Sequence, residues 1–491
     1  MARPKFYRDP IHGQICYDRV DLLLPPPPRE PDPSGALSWL VHRLIDTREF
    51  QRLRHICQNG LVKLVFHGAE HSRFGHSMGC AYLAREMYQR IARNMGEPVE
   101  PERLLRTVAA ALLHDLGHGP FSHVLEEILN LHGVRFEHEV MTYRFLTEPG
   151  SAPRDVLAAI DPSFPDEVAL YINKARRAEK NQQRGTRDHW SYKIVSSQID
   201  ADRLDYLVRD AYFAGLEGHG FDLQRLLDML LHLDGTRIAV YRRAIEPVEG
   251  YLLALDQMYR TVYYHHTARA ASRLLSSVLR RAFALHQDGD KDIFPPSLAR
   301  SVPGGSGGGG GARRHPLAAL LADGEDVPLE DYIRLSESQV YTLVEEWQHH
   351  PDRVLADLSQ RLLGRRLFKA IDVDPRRYNS LHRLVQRAEE KVLKAMPHVD
   401  RSTVGYYVQV DEPERLSYKR YDWRNENPDE SIWIVDGPGA SAGATPIEKE
   451  PSSILAALQT KKYFHRLIVP VEVRAALEAE LRPGASGRAG H

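Results

Sequence analysis

The string His114-Asp115-Leu116-Gly117-His118-Gly119-Pro120 follows directly on Leu104, Leu105, Val108, Leu112 and Leu113, an apolar stripe at helical spacing. Glycine and proline terminate helices, so the stripe predicts a helix over Glu102–Leu113 that stops at an imidazole beside a carboxylate. Adjacent residues on a straight helix point about 100° apart, so His114 and Asp115 reach one ion only where the helix ends or bends. The same break leaves His118 and His123 near that edge. An imidazole nitrogen with a carboxylate oxygen suits a divalent cation of intermediate hardness, such as iron, manganese or zinc.

A single helical histidine is more often structural than a ligand, and one His-Asp pair is weak evidence. Three further strings add weight: EHSRFGHSMG ending at Gly79, FEHE ending at Glu139 and IDADRLDYLVRD ending at Asp210. Together they are far harder to obtain by chance than any one of them.

Around these strings the chain reads as successive amphipathic helices from Leu37 to about Leu230, a tight turn at Asp234-Gly235, and resumed helix from Glu249 to His286. Consecutive prolines make Pro25–Gly35 an extended insertion, and Pro303–Arg314 is a glycine-rich flexible loop. Helices then run to about Met396. Strand patterns follow at Thr403–Val410 and Ser431–Val435, and Gly437–Thr445 and the tail from Pro483 read as loop and frayed end. The expected fold is mainly α, a helical bundle with a smaller mixed α+β C-terminal part. Its divisions are 1–300, a flexible loop 301–315, a helical extension 316–397, the α+β part 398–482 and a disordered tail 483–491.

A chain of 491 residues exceeds what one core usually supports, which fits this division. Its 65 Lys+Arg against 66 Asp+Glu leave a net charge of -1, so charge does not indicate a nucleic-acid partner and any phosphate-binding surface is local. Cys16, Cys57 and Cys80 have no C-x-x-C spacing and suit a reducing cytosol. No stretch reaches the roughly 18 to 20 apolar residues of a membrane span, and a cytoplasmic protein is expected.

These strings resemble those of the HD-superfamily deoxynucleoside triphosphate triphosphohydrolases of bacteria and animals. The likeness begins at Asp9–Gly13 (DPIHG), runs through Ile45–Gly60 and the strings above, continues past Tyr263, and weakens after Ile371. It implies an HD-domain helical bundle over 1–300 that hydrolyses a dNTP to deoxynucleoside and inorganic triphosphate, a metal-activated water attacking the alpha-phosphorus. His76, His114, Asp115 and Asp202 would hold one divalent transition metal, with magnesium on the substrate phosphates. His118, His123, His138 and Glu139 would form the acid-base group, His123 being the first choice for protonating the leaving oxygen and His138 the second. Glu139 reads equally as a helix-surface carboxylate.

By the same resemblance Arg73 and Arg203 would bind phosphate, Tyr206 and Asp210 phosphate and sugar, Gln58 the sugar 3'-hydroxyl, and Tyr263 would pack on the deoxyribose. Tyr206 and Tyr263 read also as core aromatics, and Arg73 as a surface partner of Glu70. Asp46, Gln51 and Arg54 match a segment that binds an activating nucleotide, GTP or a dNTP, in a homo-oligomer, a dimer or tetramer; they read equally as an ordinary helix surface. The chain departs from the pattern at Arg203, where lysine is common, and at Arg8, where an uncharged polar residue stands. Asn59 replaces an apolar residue that helps exclude a ribose 2'-hydroxyl, and Leu255 a phosphate-contacting arginine. Two rival readings stay open: an HD phosphohydrolase or nuclease acting on other nucleotides or single-stranded nucleic acid, and an inactive HD nucleotide-sensing scaffold.

Overall fold

An antiparallel hairpin, β1 (Lys5–Asp9) and β2 (Gly13–Tyr17), is the first element described, and the Asp9 carboxylate closes its turn by accepting from the backbone N–H groups of Ile11 and His12 at 2.8 and 2.9 Å. The structure is a computed structural model describing residues 4–23, 33–217, 220–295, 312–373, 381–412, 431–438, 443–450 and 465–481, with short pieces between. Much of Pro25–Gly35, most of Pro303–Arg314, part of Gly437–Thr445 and the tail from Pro483 lie outside the described residues.

The helical body contains α1 (Ser34–Ile45), α2 (Arg73–Met95), α3 (Pro101–Leu113), α4 (His123–Leu131), α5 (His138–Thr147), α6 (Phe164–Ile172), α7 (Lys174–Arg184) and α8 (Ala201–Phe213), with shorter helices between. Helix α3 begins with a proline in its first turn, where no N–H is needed. Helix α8 is capped by Asp200, which accepts from the Arg203 N–H at 2.9 Å. All five apolar stripe residues of α3 are buried, each stabilising the body by about 1.5–3 kcal/mol. Helix α2 packs between α3 and α8, which is what carries the three site-bearing strings into one neighbourhood.

The turn expected at Asp234-Gly235 joins β3 (Leu230–Leu233) to β4 (Arg237–Tyr241), with φ of 53° and 72° at its two central residues. The long helix expected from Glu249 to His286 is broken instead. Helix α9 (Ile245–Met258) runs into a single π-helical turn, Tyr259–Tyr263, before α10 (His266–Gln287). Such turns re-aim side chains, and this one faces the site.

Beyond α10 the helices are interrupted by β5 (Lys369–Asp372) before α11 (Leu381–Ala395). The strand expected at Thr403–Val410 is a 3-10 turn at Val404–Tyr406 followed by β6 (Gln409–Asp411), because hydrogen bonds between Thr403 and Asp400 curl the chain first. Then come β7 (Trp433–Val435), β8 (Thr445–Pro446), β9 (Arg466–Val469) and α12 (Val471–Leu481). Strand β9 pairs with both β5 and β6, while β7 lies parallel to β4, so the C-terminal segment extends a sheet of the helical body. Among the described residues no helix is long and apolar enough to cross a membrane.

Candidate active site

Four side chains from three helices meet at the base of a cleft. His76 comes from the first turn of α2, His114 and Asp115 from the end of α3, and Asp202 from the start of α8. His76 Nε2 lies 3.0 Å from Asp202 Oδ1 and 3.7 Å from Asp115 Oδ2. His114 Nε2 lies 3.3 Å from Asp115 Oδ1 and 3.6 Å from Asp202 Oδ1.

Each imidazole is anchored by its other nitrogen. His114 Nδ1 donates to the Ala111 carbonyl at 2.8 Å, and His76 Nδ1 to Asp205 Oδ2 at 2.8 Å. Nε2 of His114 is buried without a hydrogen-bond partner. A buried lone pair aimed at two carboxylates is costly unless something positive occupies the space between them. Two Nε2 atoms and two carboxylates fit a divalent transition metal.

Burial disfavours charge on Asp115 and Asp202, but Arg73 and the histidines outweigh it and hold both carboxyls below their usual range. The acids are therefore available as anionic ligands. Cys80, one helical turn after His76, places its Sγ 3.5 Å from both ring nitrogens and adds a soft atom to the same cluster.

Asp205 is a residue the sequence reading passed over. Its Oδ1 accepts from His12 Nε2 at 2.6 Å, and it takes two hydrogen bonds from Arg209, which Asp9 also holds at 3.0 Å. The β1–β2 turn is thereby tied to the back of the His76 ring. Gly79 makes room for this. A Cβ there would stand 1.8 Å from Asp205 Oδ1 and 2.5 Å from an Arg209 nitrogen.

On the opposite side, Phe121 and Ser122 adopt φ of 55° and 46°, a left-handed conformation costing about 1–3 kcal/mol per residue. This bend turns the chain from His118 into α4. His118 stacks on His138 at 3.9 Å between ring centroids, and His123 stands edge-on to both at 5.7 and 5.6 Å. Glu126 accepts from His138 Nδ1 at 3.0 Å and lies 3.7 Å from His123 Nδ1. Burial alone would raise the Glu126 pKa, but His123 and His138 bring it down to about 2. Burial, reinforced by Arg73, holds His118 well below its usual value, so it is neutral. Glu139 does not join this group: it sits on the exposed face of α5, and Glu126 supplies the carboxylate instead.

The cleft above encloses about 400 Å³ and is lined by Gln58, Arg73, Asp115, His118, His123, Asp202, Tyr206, Asp210 and Tyr263, with Tyr259 and Arg269 in addition. Arg73 donates to Asp115, and to Ser122 Oγ at 2.7 Å. It does not pair with Glu70. Tyr263 donates to Asp210 Oδ2 at 2.6 Å, while His71 Nε2 holds the other oxygen at 2.7 Å. The Gln58 Oε1 is buried without a partner. Arg203 is not on the wall; its nearest carboxylate is Asp200 at 3.9 Å, because it follows Asp202 on α8 and so points about 100° away. Arg269, absent from the sequence reading, is clamped by Asp411 of β6 at 3.1 Å through Nε. Leu255 is core, and Arg260 pairs with Asp256 at 2.6 Å.

The three residues of the expected activator segment are divided. Gln51 Nε2 donates to the Ile45 carbonyl at 2.8 Å and its Oε1 accepts from Arg54, whose guanidinium lies 3.5 Å above the Phe74 ring. Asp46 lines a separate groove with Trp39, Arg43 and Arg48.

The model of the HD domain matches residues 73–207, and that of the HD associated region residues 221–294. The chain is 36% identical over 421 residues to the uncharacterized protein YwfO of Bacillus subtilis, covering 86% of this chain and 82% of YwfO. It is 29% identical over 307 residues to human deoxynucleoside triphosphate triphosphohydrolase SAMHD1, where the match spans 57% of this chain and 44% of the human protein. Among solved structures, a phosphohydrolase from Bacteroides thetaiotaomicron superposes with a TM-score of 0.71 at 25% identity, covering 95% of this chain and all of that one. A hypothetical protein from Aquifex aeolicus shares the fold, with a TM-score of 0.64 at 22% identity, covering 98% of this chain and 100% of that one.

Proposed function

The chain belongs to the HD superfamily of phosphohydrolases, and from that premise we propose that it hydrolyses deoxynucleoside triphosphates to the deoxynucleoside and inorganic triphosphate. The observation that carries the reading is the convergence of His76, His114, Asp115 and Asp202 under a cleft lined by Gln58, Arg73, Asp210 and Tyr263.

A divalent metal held by those four residues supplies charge neutralisation on a phosphoryl oxygen and a water ionised near neutral pH. Arg73, fixed between Asp115 and Ser122, presents a guanidinium to the triphosphate oxygens, a charge-assisted contact roughly twice as strong as a neutral one. His123 is 79% exposed on its side chain and stands at the cleft edge, where it can give a proton to the leaving 5'-oxygen. Glu126 orients the pair, accepting from His138 Nδ1 and lying 3.7 Å from His123 Nδ1. His118, held neutral, donates a hydrogen bond rather than a proton.

Tyr263 packs against the deoxyribose from the π-helical turn, with its hydroxyl fixed by Asp210. Gln58, with an unpaired acceptor, accepts a hydrogen bond from the 3'-hydroxyl. Gln51 and Arg54 would bind an activating nucleotide at a contact between copies of the chain. A rise in mass by light scattering on adding GTP or dGTP supports that part, and an unchanged mass and rate discards it.

The test of the main reading is incubation of metal-loaded protein with each dNTP, each NTP and a labelled oligonucleotide, followed by chromatography. Inorganic triphosphate from dNTPs supports it. A shortened oligonucleotide or no turnover with any metal overturns it.

A further inference from the structure

Away from the metal centre, α3, α6, α7 and the β3–β4 turn enclose a second cleft of about 570 Å³. Its wall carries Arg103, Arg106, Arg177, Lys180, Arg184 and Arg187 against two carboxylates, Glu167 and Asp188. Three of the cations are neutralised. Arg103 pairs with Glu100 at 2.6 Å, Arg106 with Glu167 at 2.6 Å, and Arg177 with Asp188 at 2.9 Å. Lys180, Arg184 and Arg187 have no carboxylate partner among the described residues. In a chain of net charge -1 this excess is a local construction, since average composition does not supply it.

His189 lines the same cleft, and its pKa falls to about 4, first through burial and then through Arg103. On its floor Tyr171 and Tyr192 pack with ring centroids 4.0 Å apart and ring planes tilted by 31°, and Arg177 lies 4.8 Å from the Tyr192 centroid. Arg103 and Arg106 sit in the first turns of α3, whose N-terminal end adds a partial positive charge. The volume is that of a small-ligand site.

We propose that this cleft binds a short polyphosphate, either free inorganic triphosphate or the triphosphate of a nucleotide. Three unpaired cations in a concave site match a chain of three phosphates, and each contact is a charge-assisted hydrogen bond. A long nucleic-acid strand is matched less well, because the three unpaired cations span one short stretch of α7 and the following loop and not a continuous surface track. The occupant would bear on α3, which ends at His114-Asp115; Arg106 lies roughly 12 Å from His114 along that helix at 1.5 Å per residue. A bound polyphosphate is thus positioned to influence the metal centre without entering it. The inference is independent of which substrate the metal centre takes.

Hydrogen–deuterium exchange on the full-length, metal-loaded protein tests it, with inorganic triphosphate as the probe, magnesium in excess, and sodium sulfate at matched ionic strength as the control. Triphosphate should protect residues 174–192 where sulfate does not. The variant Lys180→Gln/Arg184→Gln/Arg187→Gln alters side chains on the outer face of α7 and the following loop, so exchange elsewhere should match the parent and report an intact fold. In it the half-saturating concentration should rise roughly tenfold or more. A parallel titration with ATP assigns the source: a lower half-saturating concentration than triphosphate points to a nucleotide, a higher one to the free anion. Absence of protection in the parent, undiminished protection in the variant, or protection only by a single-stranded oligonucleotide overturns the proposal.

Discussion

His76 Nδ1 donates a hydrogen bond to Asp205 across 2.8 Å, and this one contact points Nε2 at Asp202, 3.0 Å away. Asp205 is itself immobilised by His12 and Arg209, so the imidazole is held from behind by a buried charged network. A carboxylate behind a ligating histidine fixes its tautomer and raises its basicity. Asp205→Asn should weaken metal affinity by about 10–100-fold while leaving all four ligands in place. Competition against a graded chelator, read by metal analysis, checks this, and unchanged affinity would remove Asp205 from the account.

Gly117 lets α5 approach the end of α3. A Cβ at that position would stand 2.1 Å from the His138 carbonyl oxygen and 2.4 Å from the Thr142 nitrogen, both backbone atoms that cannot swing aside. Gly117→Ala should therefore cost about 1–3 kcal/mol and displace His138 from His118. Thermal unfolding and the rate of dNTP hydrolysis should fall together. A variant as stable and active as the parent would show that the two helices are not held so closely.

The Glu126 pKa of about 2 lies below its unfolded value of 4.5. A depressed carboxyl stabilises the fold above the unfolded pKa and loses that contribution as pH falls through the folded pKa. The stability gap between the parent and Glu126→Gln should close as pH falls from 4.5 to 2. Urea unfolding across that range measures it. A gap that widened on acidification would reverse the assignment.

His123→Gln should lower kcat by about 10²–10⁴ if His123 protonates the leaving group, with little change in KM. Its own burial is slight, so its fold should be unaffected. Steady-state kinetics with a dNTP separates this from a binding role, which would move KM instead.

His114 and Asp115 were readable because a helix end beside Gly-His-Gly-Pro is written in local sequence, whereas His76 and Asp202 came from the family resemblance. Glu126 was readable in principle, since it stands three residues after His123 on one helical face. Glu139 and Arg203 were misplaced for one shared reason: each immediately adjoins a site residue on a helix, and adjacent helical residues diverge by about 100°. Cys80 lies four residues after His76 on the buried face, a spacing that could have flagged it. Nothing local announces that Arg269 meets Asp411, whose positions are 142 residues apart. The joining of β7 to β4 is equally invisible to periodicity, because strand pairing across such a distance is decided by packing.

The most direct test of the account compares the parent with His114→Ala and Asp115→Ala, each metal-reconstituted, for products released from a dNTP. The parent should yield deoxynucleoside and inorganic triphosphate in equal amounts, and both variants should yield none while keeping the parent's circular dichroism. Undiminished turnover in either variant, or release of a nucleoside monophosphate or diphosphate by the parent, would contradict it.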